Sequence, residues 1–211
     1  MMKTSKTLIF VFFASLVYCQ GVYLTNESGI LIETNYGKVS SAYQGGFLTS
    51  VSIYGIFDAA YSYSKYFDED KTENSIREYI GRAYLLNKKT IFVSTAIGYM
   101  DMTAEGKIFG FPIKTDLTGY FIEGGFHLTE KDIYKKGTLS IYYRYSEPLS
   151  EAYILNVRIS NRELMRKLII EGSIIFKFSN IGLIFGPRAV LEFDATEASL
   201  FGLKLGVFLN N

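Results

Sequence analysis

The feature that most constrains this chain is a period-two alternation that recurs through nearly the whole sequence and keeps its charges on one side. In Gly119 to Thr129, Tyr120, Ile122, Gly124, Phe126 and Leu128 share one face, with Glu123, Gly125, His127 and Thr129 on the other. In Thr138 to Ser146, Leu139, Ile141, Tyr143 and Tyr145 oppose Thr138, Ser140, Tyr142, Arg144 and Ser146. Phe57 to Ser64, Tyr153 to Ser160 and Phe201 to Leu209 repeat the pattern. Strict alternation is the signature of strands with two unlike faces, and after Gly21 the best helical candidate is only the short Asn161 to Leu168.

The charged positions Glu33, Asp58, Glu78, Arg82, Glu123, Arg144, Arg158, Glu171, Lys177, Arg188, Glu192 and Lys204 all fall on the polar face, and His127 joins them by parity. The apolar face is nearly free of charge. A water-soluble barrel or sandwich would turn the apolar face inward; a membrane barrel turns it to lipid and lines its lumen with the polar one. Three features favour the second. Tyr61, Tyr63, Tyr143, Tyr145 and Tyr153 sit near strand ends on the apolar side, where an interfacial girdle belongs. Gly98, Gly119, Gly125, Gly202 and Gly206 sit on the polar side, where a crowded lumen needs small residues. The segments also run about nine to twelve residues, longer than ordinary soluble strands and long enough for a tilted span. A soluble periplasmic β-barrel or sandwich that binds a ligand stays as the alternative.

The expected fold is therefore all-β: a closed antiparallel transmembrane barrel over residues 22–211. Eleven strand segments are clear, and a twelfth over Lys107 to Lys114 makes short turns alternate with longer loops; ten strands is the fallback count. Tight turns are expected at Gly55, Asn87 to Lys89 and Ser179-Asn180. Asp68 to Ser75 and Glu130 to Lys136 are expected as external loops. Ahead of the barrel, Lys3 and Lys6 precede the apolar run Leu8 to Val17, too short to span a bilayer as a helix. Residues 1–21 read as a cleaved signal peptide, with cleavage after Cys19 or Gly21. Leu16-Val17-Tyr18-Cys19 also resembles a lipobox, with Tyr18 where a small residue belongs.

The chain resembles the small outer-membrane β-barrel proteins of Gram-negative bacteria. Ser50 to Tyr66 (SVSIYGIFDAAYSYSKY) is similar to a hairpin common among them, and Phe201 to Leu209 resembles the terminal strand read by their assembly machinery, although the chain ends Phe208-Leu209-Asn210-Asn211 without a terminal aromatic. The resemblance implies an outer-membrane location, contact with outer-membrane lipid and passage through the barrel-assembly machinery.

Chemistry is sparse. One His and one Cys make a transition-metal site improbable, and no nucleophile elbow, phosphate loop or zinc-protease motif occurs. His127-Leu128-Thr129 is similar to the His-x-Ser pair of outer-membrane lipid hydrolases, with Thr for Ser, but parity turns His127 away from lipid. The expectation is a lumen His bonded to a neighbouring carboxylate, no enzyme and no cofactor. A net charge of +1 gives no field for nucleic acid. Balanced acids and bases on the polar face imply ion pairs filling a narrow lumen, because unpaired buried charge is costly. That favours a structural or interaction barrel over a narrow channel for small solutes or a hydrophobic ligand, with the external partner unnamed.

Overall fold

The structure, a computed structural model, describes residues 28–39, 42–53, 56–67, 73–88, 90–108, 111–130, 135–154, 157–194 and 199–210. The signal-peptide reading of residues 1–21, the Gly55 turn and the middle of both expected external loops lie outside these residues.

Twelve strands form: β1 (Gly29–Val39), β2 (Ala42–Ile53), β3 (Phe57–Phe67), β4 (Glu73–Lys88), β5 (Ile91–Ile108), β6 (Phe111–Thr129), β7 (Lys135–Ser146), β8 (Leu149–Ile154), β9 (Val157–Arg162), β10 (Met165–Phe178), β11 (Ile181–Glu192) and β12 (Leu200–Asn210). All pairings are antiparallel. β1 pairs with β12, from Gly29↔Asn210 to Val39↔Leu200, and β5 pairs with β6, so the sheet closes on itself. Ten strands make the ring, in the order β1–β7, β10, β11, β12, and β8 and β9 stand outside it. Closure removes the free edges that an open sheet would expose.

The chain forms twelve strands in all, but the closed barrel has ten, the fallback count and not the twelve expected, and the strands divide differently. Lys107 to Lys114 is not a separate strand. It is the tip of a long β5–β6 hairpin, with Pro112 opposite Lys107 near the end, where a missing ladder hydrogen bond costs least. The single strand read over 151–160 is two strands, β8 and β9, paired from Leu149↔Arg162 to Ile154↔Val157. Asn161 to Leu168 is not helical either: it is the end of β9 and the start of β10.

Register explains the two outside strands. β6 pairs with β7 through Phe121↔Ser146 and with β8 through Thr118↔Leu149, in one continuous frame. β10 pairs with β7 through Met165↔Ser146, continuing the β8–β9 frame. The ribbon is thus an overhang of one long hairpin, interrupted at Glu147-Pro148, where Pro148 has no N–H to give the ladder. Together with the tips of β5 and β6 it forms a wall above the rim.

The start of β1 and the end of β12 lie at one end of the barrel, as do the ends of β2, β4, β6 and β10. At the β10–β11 turn Ser179 takes a left-handed φ of 53°, a conformation suited to two-residue hairpins. The end of β3 and the start of β4, which flank the expected loop Asp68 to Ser75, lie at the opposite end from the end of β6 and the start of β7, which flank Glu130 to Lys136. The two expected external loops are therefore entered from opposite ends of the barrel.

The exposed face of the ring is apolar and the buried face polar. Ile30, Ile97, Ile122, Phe178, Leu203 and Leu205 are exposed, whereas Glu33, Glu123, Arg144 and Lys204 are buried. This is the arrangement of a membrane barrel and the inverse of a soluble one. On β5 the apolar positions run from Ile91 to Tyr99; at about 3.4 Å per residue and the ~40° tilt usual in such barrels, that is about 21 Å of height, close to a bilayer's apolar band. Tyr61, Tyr79, Tyr99 and Tyr120 are register partners across β3 to β6 and form a row of rings at its upper limit.

Candidate functional site: the charged interior

Side chains from opposite walls meet in the lumen because each contributing strand turns every second residue inward. Glu123 and Arg144 are direct register partners on β6 and β7. The Arg144 guanidinium donates to Glu123 Oε2 at 2.9 and 3.0 Å and to Glu78 Oε1 at 2.6 Å, and lies 3.9 Å over the Phe121 ring. Arg82 crosses the lumen to Glu123 Oε1 at 2.7 Å and covers Tyr142 at 4.6 Å. Asp58, register partner of Arg82, accepts from the Tyr84 hydroxyl at 2.7 Å.

A second cluster fills the other half. Lys204 contacts Glu171 at 2.9 Å and Glu33 at 3.6 Å, and Arg188 contacts Glu171 at 3.2 Å. Nearer the rim, Lys167 and Glu192 pair at 2.6 Å. Lys177 has inward parity on β10 towards the turn end and is half-buried. Arg158 is not in the lumen. It sits exposed on β9, outside the ring, and pairs with Glu151 on β8. The alternation in its segment is real, but the hairpin break at 155–156 puts it on the wall's outer face.

His127 is fully buried between Tyr84 and Tyr142. Its partners are hydroxyls and not the expected carboxylate: Ser94 Oγ lies 2.8 Å from Nε2 and Ser140 Oγ 2.9 Å from Nδ1. Ser140 is its register partner on β7, and Ser94 comes from β5. Glu123 is four residues away along the same face of β6 and is saturated by two arginines. A Ser–His contact is the beginning of a nucleophilic site, but a fully buried ring gives a substrate no approach.

Towards the turn end apolar clusters join the lining, Leu31, Ile175, Ile184 and Phe208 packed together and Phe92 against Tyr84, beside the buried Ser52, Thr129 and Thr138. Glycine makes room for these rings: a Cβ at Gly182 would overlap Phe208, and one at Gly98 would overlap Phe121. The remaining central cavity is ≈ 70 Å³, lined by Glu33, Asp58, Arg82, Glu171, Arg188 and Lys204 among others. At about 10–15 Å³ per water, that is room for about five. A further ≈ 50 Å³ lies near the rim between Tyr66, Lys167 and Glu192. Among the described residues no His, Cys, Asp and Glu group is arranged to hold a metal.

Sequence parity reaches most of the charged interior and puts Ser140 on the polar face, but it does not single out Lys167, Tyr84 or Ser94. Lys167 follows from stepping back in twos from Lys177 and Glu171, had Asn161 to Leu168 not been read as a possible helix. Tyr84 keeps the inward parity of Glu78 and Arg82, since the bulge on β4 falls only after it, between Tyr84 and Leu86; as an uncharged ring it is not singled out by a search for charge.

The fold and its inverted faces define an outer-membrane-type β-barrel. One solved structure shares the fold. The chain is similar to the translocator domain of the autotransporter NalP from Neisseria meningitidis, with a TM-score of 0.52 and 6% identity, covering 98% of this chain and 95% of that one. It is also similar to the β-domain of the Bordetella autotransporter BrkA, with a TM-score of 0.47 and 8% identity, covering 88% of this chain and 100% of that one. No protein-family model matches the sequence, and no curated protein matches it.

Proposed function

We propose that the chain is an outer-membrane barrel of structural or interaction type, with a closed, charge-filled lumen that does not conduct freely. The supporting observation is the pairing of the lumen charges. Arg82, Arg144, Glu78 and Glu123 join β4, β6 and β7, Lys204, Arg188, Glu33 and Glu171 join β1, β10, β11 and β12, and an apolar cluster packs towards the turn end. An open pore needs a continuous water path and tends to line it with one sign of charge. This lumen has both signs, matched.

On this reading export by a signal peptide and insertion by the barrel-assembly machinery place the chain in the outer membrane of a Gram-negative bacterium. The lipid is its first partner, and the work is done above the rim. No catalysis is assigned, and His127 is a packing element of the lumen. The test is conductance of the refolded full chain in planar bilayers. Silence, or only rare brief openings, is expected. A steady conductance would replace this reading with a narrow channel, the alternative favoured by the polar cavity at the barrel centre.

A further inference from the structure

We infer that the outer edge of β9 is a docking site for an extended polypeptide segment that alternates acidic and apolar residues and adds to the wall as a further strand. The inference rests on the membrane reading above, because it requires the wall to stand in water.

The two faces of the sheet exchange character at the rim. Below it, outward positions are apolar and inward ones polar. Above it the outward face carries Asp101, Glu105, Lys114, Asp116, Glu151 and Arg158. Contacts from Thr103 to Asp116 at 3.1 Å and from Tyr153 to Glu151 at 3.1 Å fix that face. The inward face is largely uncharged, with Met102 packed on the cluster that holds Met100 and Leu117, Ile159 in register with Ala152, and Asn161 in register with Ser150. A wall built this way belongs outside lipid: its outer face is charged and its largely uncharged face looks over the barrel mouth.

β9 pairs with β8 on one side and, among the described residues, with nothing on the other. All six of its residues are exposed, Val157 to 60% and Ile159 to 53%. A row of backbone N–H and C=O groups is thus open along a flat strand, which is the template for strand addition. The side chains state what the added strand should carry. Arg158, Ser160 and Arg162 share the outer face, and Arg158 already takes one acid, Glu151, from the β8 side. Val157 and Ile159 share the inner face. A segment with acids opposite the arginines and apolar residues between them matches both faces at once. A second copy of β9 matches neither requirement, because the strand has two arginines and no acid, so self-pairing gathers like charges on one face.

The test uses the full chain refolded in detergent, its closure checked by faster migration of unboiled samples on a denaturing gel. The probe is a fluorescein-labelled peptide of alternating Glu and Val, followed by anisotropy. Saturable binding is expected, about tenfold or more weaker when alternate peptide amides are N-methylated, because main-chain hydrogen bonds carry strand addition. In the Arg158→Glu/Arg162→Glu variant the preference should reverse to a Lys–Val peptide. Absence of saturable binding, or equal binding of the N-methylated peptide, would overturn the inference and leave the barrel reading intact. A peptide-free particle of two chains that dissociates in the same variant would assign the edge to a second copy instead. A chain that shows no gel shift would overturn the barrel reading and this inference with it.

Discussion

Arg144 shows most clearly how single residues hold the lumen together, since its one guanidinium joins Glu78 on β4, Glu123 on β6 and the Phe121 ring. Removing one member of a buried pair leaves the other charge without compensation, at about 3–5 kcal/mol. Arg144→Met should therefore lower barrel stability by roughly that amount, whereas Arg162→Met, at an exposed site, should leave it within about 0.5 kcal/mol. The urea midpoint for loss of the fast-migrating form measures both. Gly182 makes the complementary point. Gly182→Ala puts a methyl into the Phe208 ring and should cost about 1–3 kcal/mol by overpacking, with part of the loss recovered in Gly182→Ala/Phe208→Leu. At the rim the Arg166 side chain holds the Asp194 carboxyl below its ordinary range. The sign follows: a lowered carboxylate adds stability above its unfolded pKa and loses it as pH falls through the lower folded one. Protection of the Arg166 and Phe193 amides, taken relative to their intrinsic exchange rates, should thus hold level from neutral pH down to the carboxylate range and fall only below it.

Among the elements, β5 and β6 carry the clearest boundary between lipid and water. Ile122 lies within the apolar band, and Thr118 lies above the Tyr99–Tyr120 pair on the same outward face. Arginine at a lipid-facing midplane position costs about 2–4 kcal/mol and near the interface about 0–1. Ile122→Arg, one outward position inside the tyrosine row, should accordingly be more destabilising than Thr118→Arg in the same urea assay, and equal effects would move the boundary. Strands of the ring were legible because lipid and lumen impose opposite demands on alternate residues, as Glu123 and Ile122 show. The overhang was less legible for the same reason. Above the rim the demands exchange, so an apolar Ile159 no longer means outward and a charged Arg158 no longer means inward. Pairing choices such as His127 with Ser94 were not legible at all, since they depend on which strands the closure brings opposite each other.

The molecule as a whole is a closed barrel with a one-sided wall at one end, and the proposed function sets that barrel, sealed, in lipid. The interior holds ion pairs and glycine-seated rings where a channel would hold water, and the charged outer face of the wall marks where the bilayer ends. The chain contains no Trp, so a single introduced Trp reports on its site without background. The most direct measurement is quenching of Ile122→Trp and Lys114→Trp, each refolded into vesicles whose acyl chains carry bromine. Strong quenching and blue-shifted emission at position 122, with neither at 114, is the predicted result. An unquenched, water-exposed Trp at 122 in a fully folded chain would contradict the assignment of the apolar face to lipid.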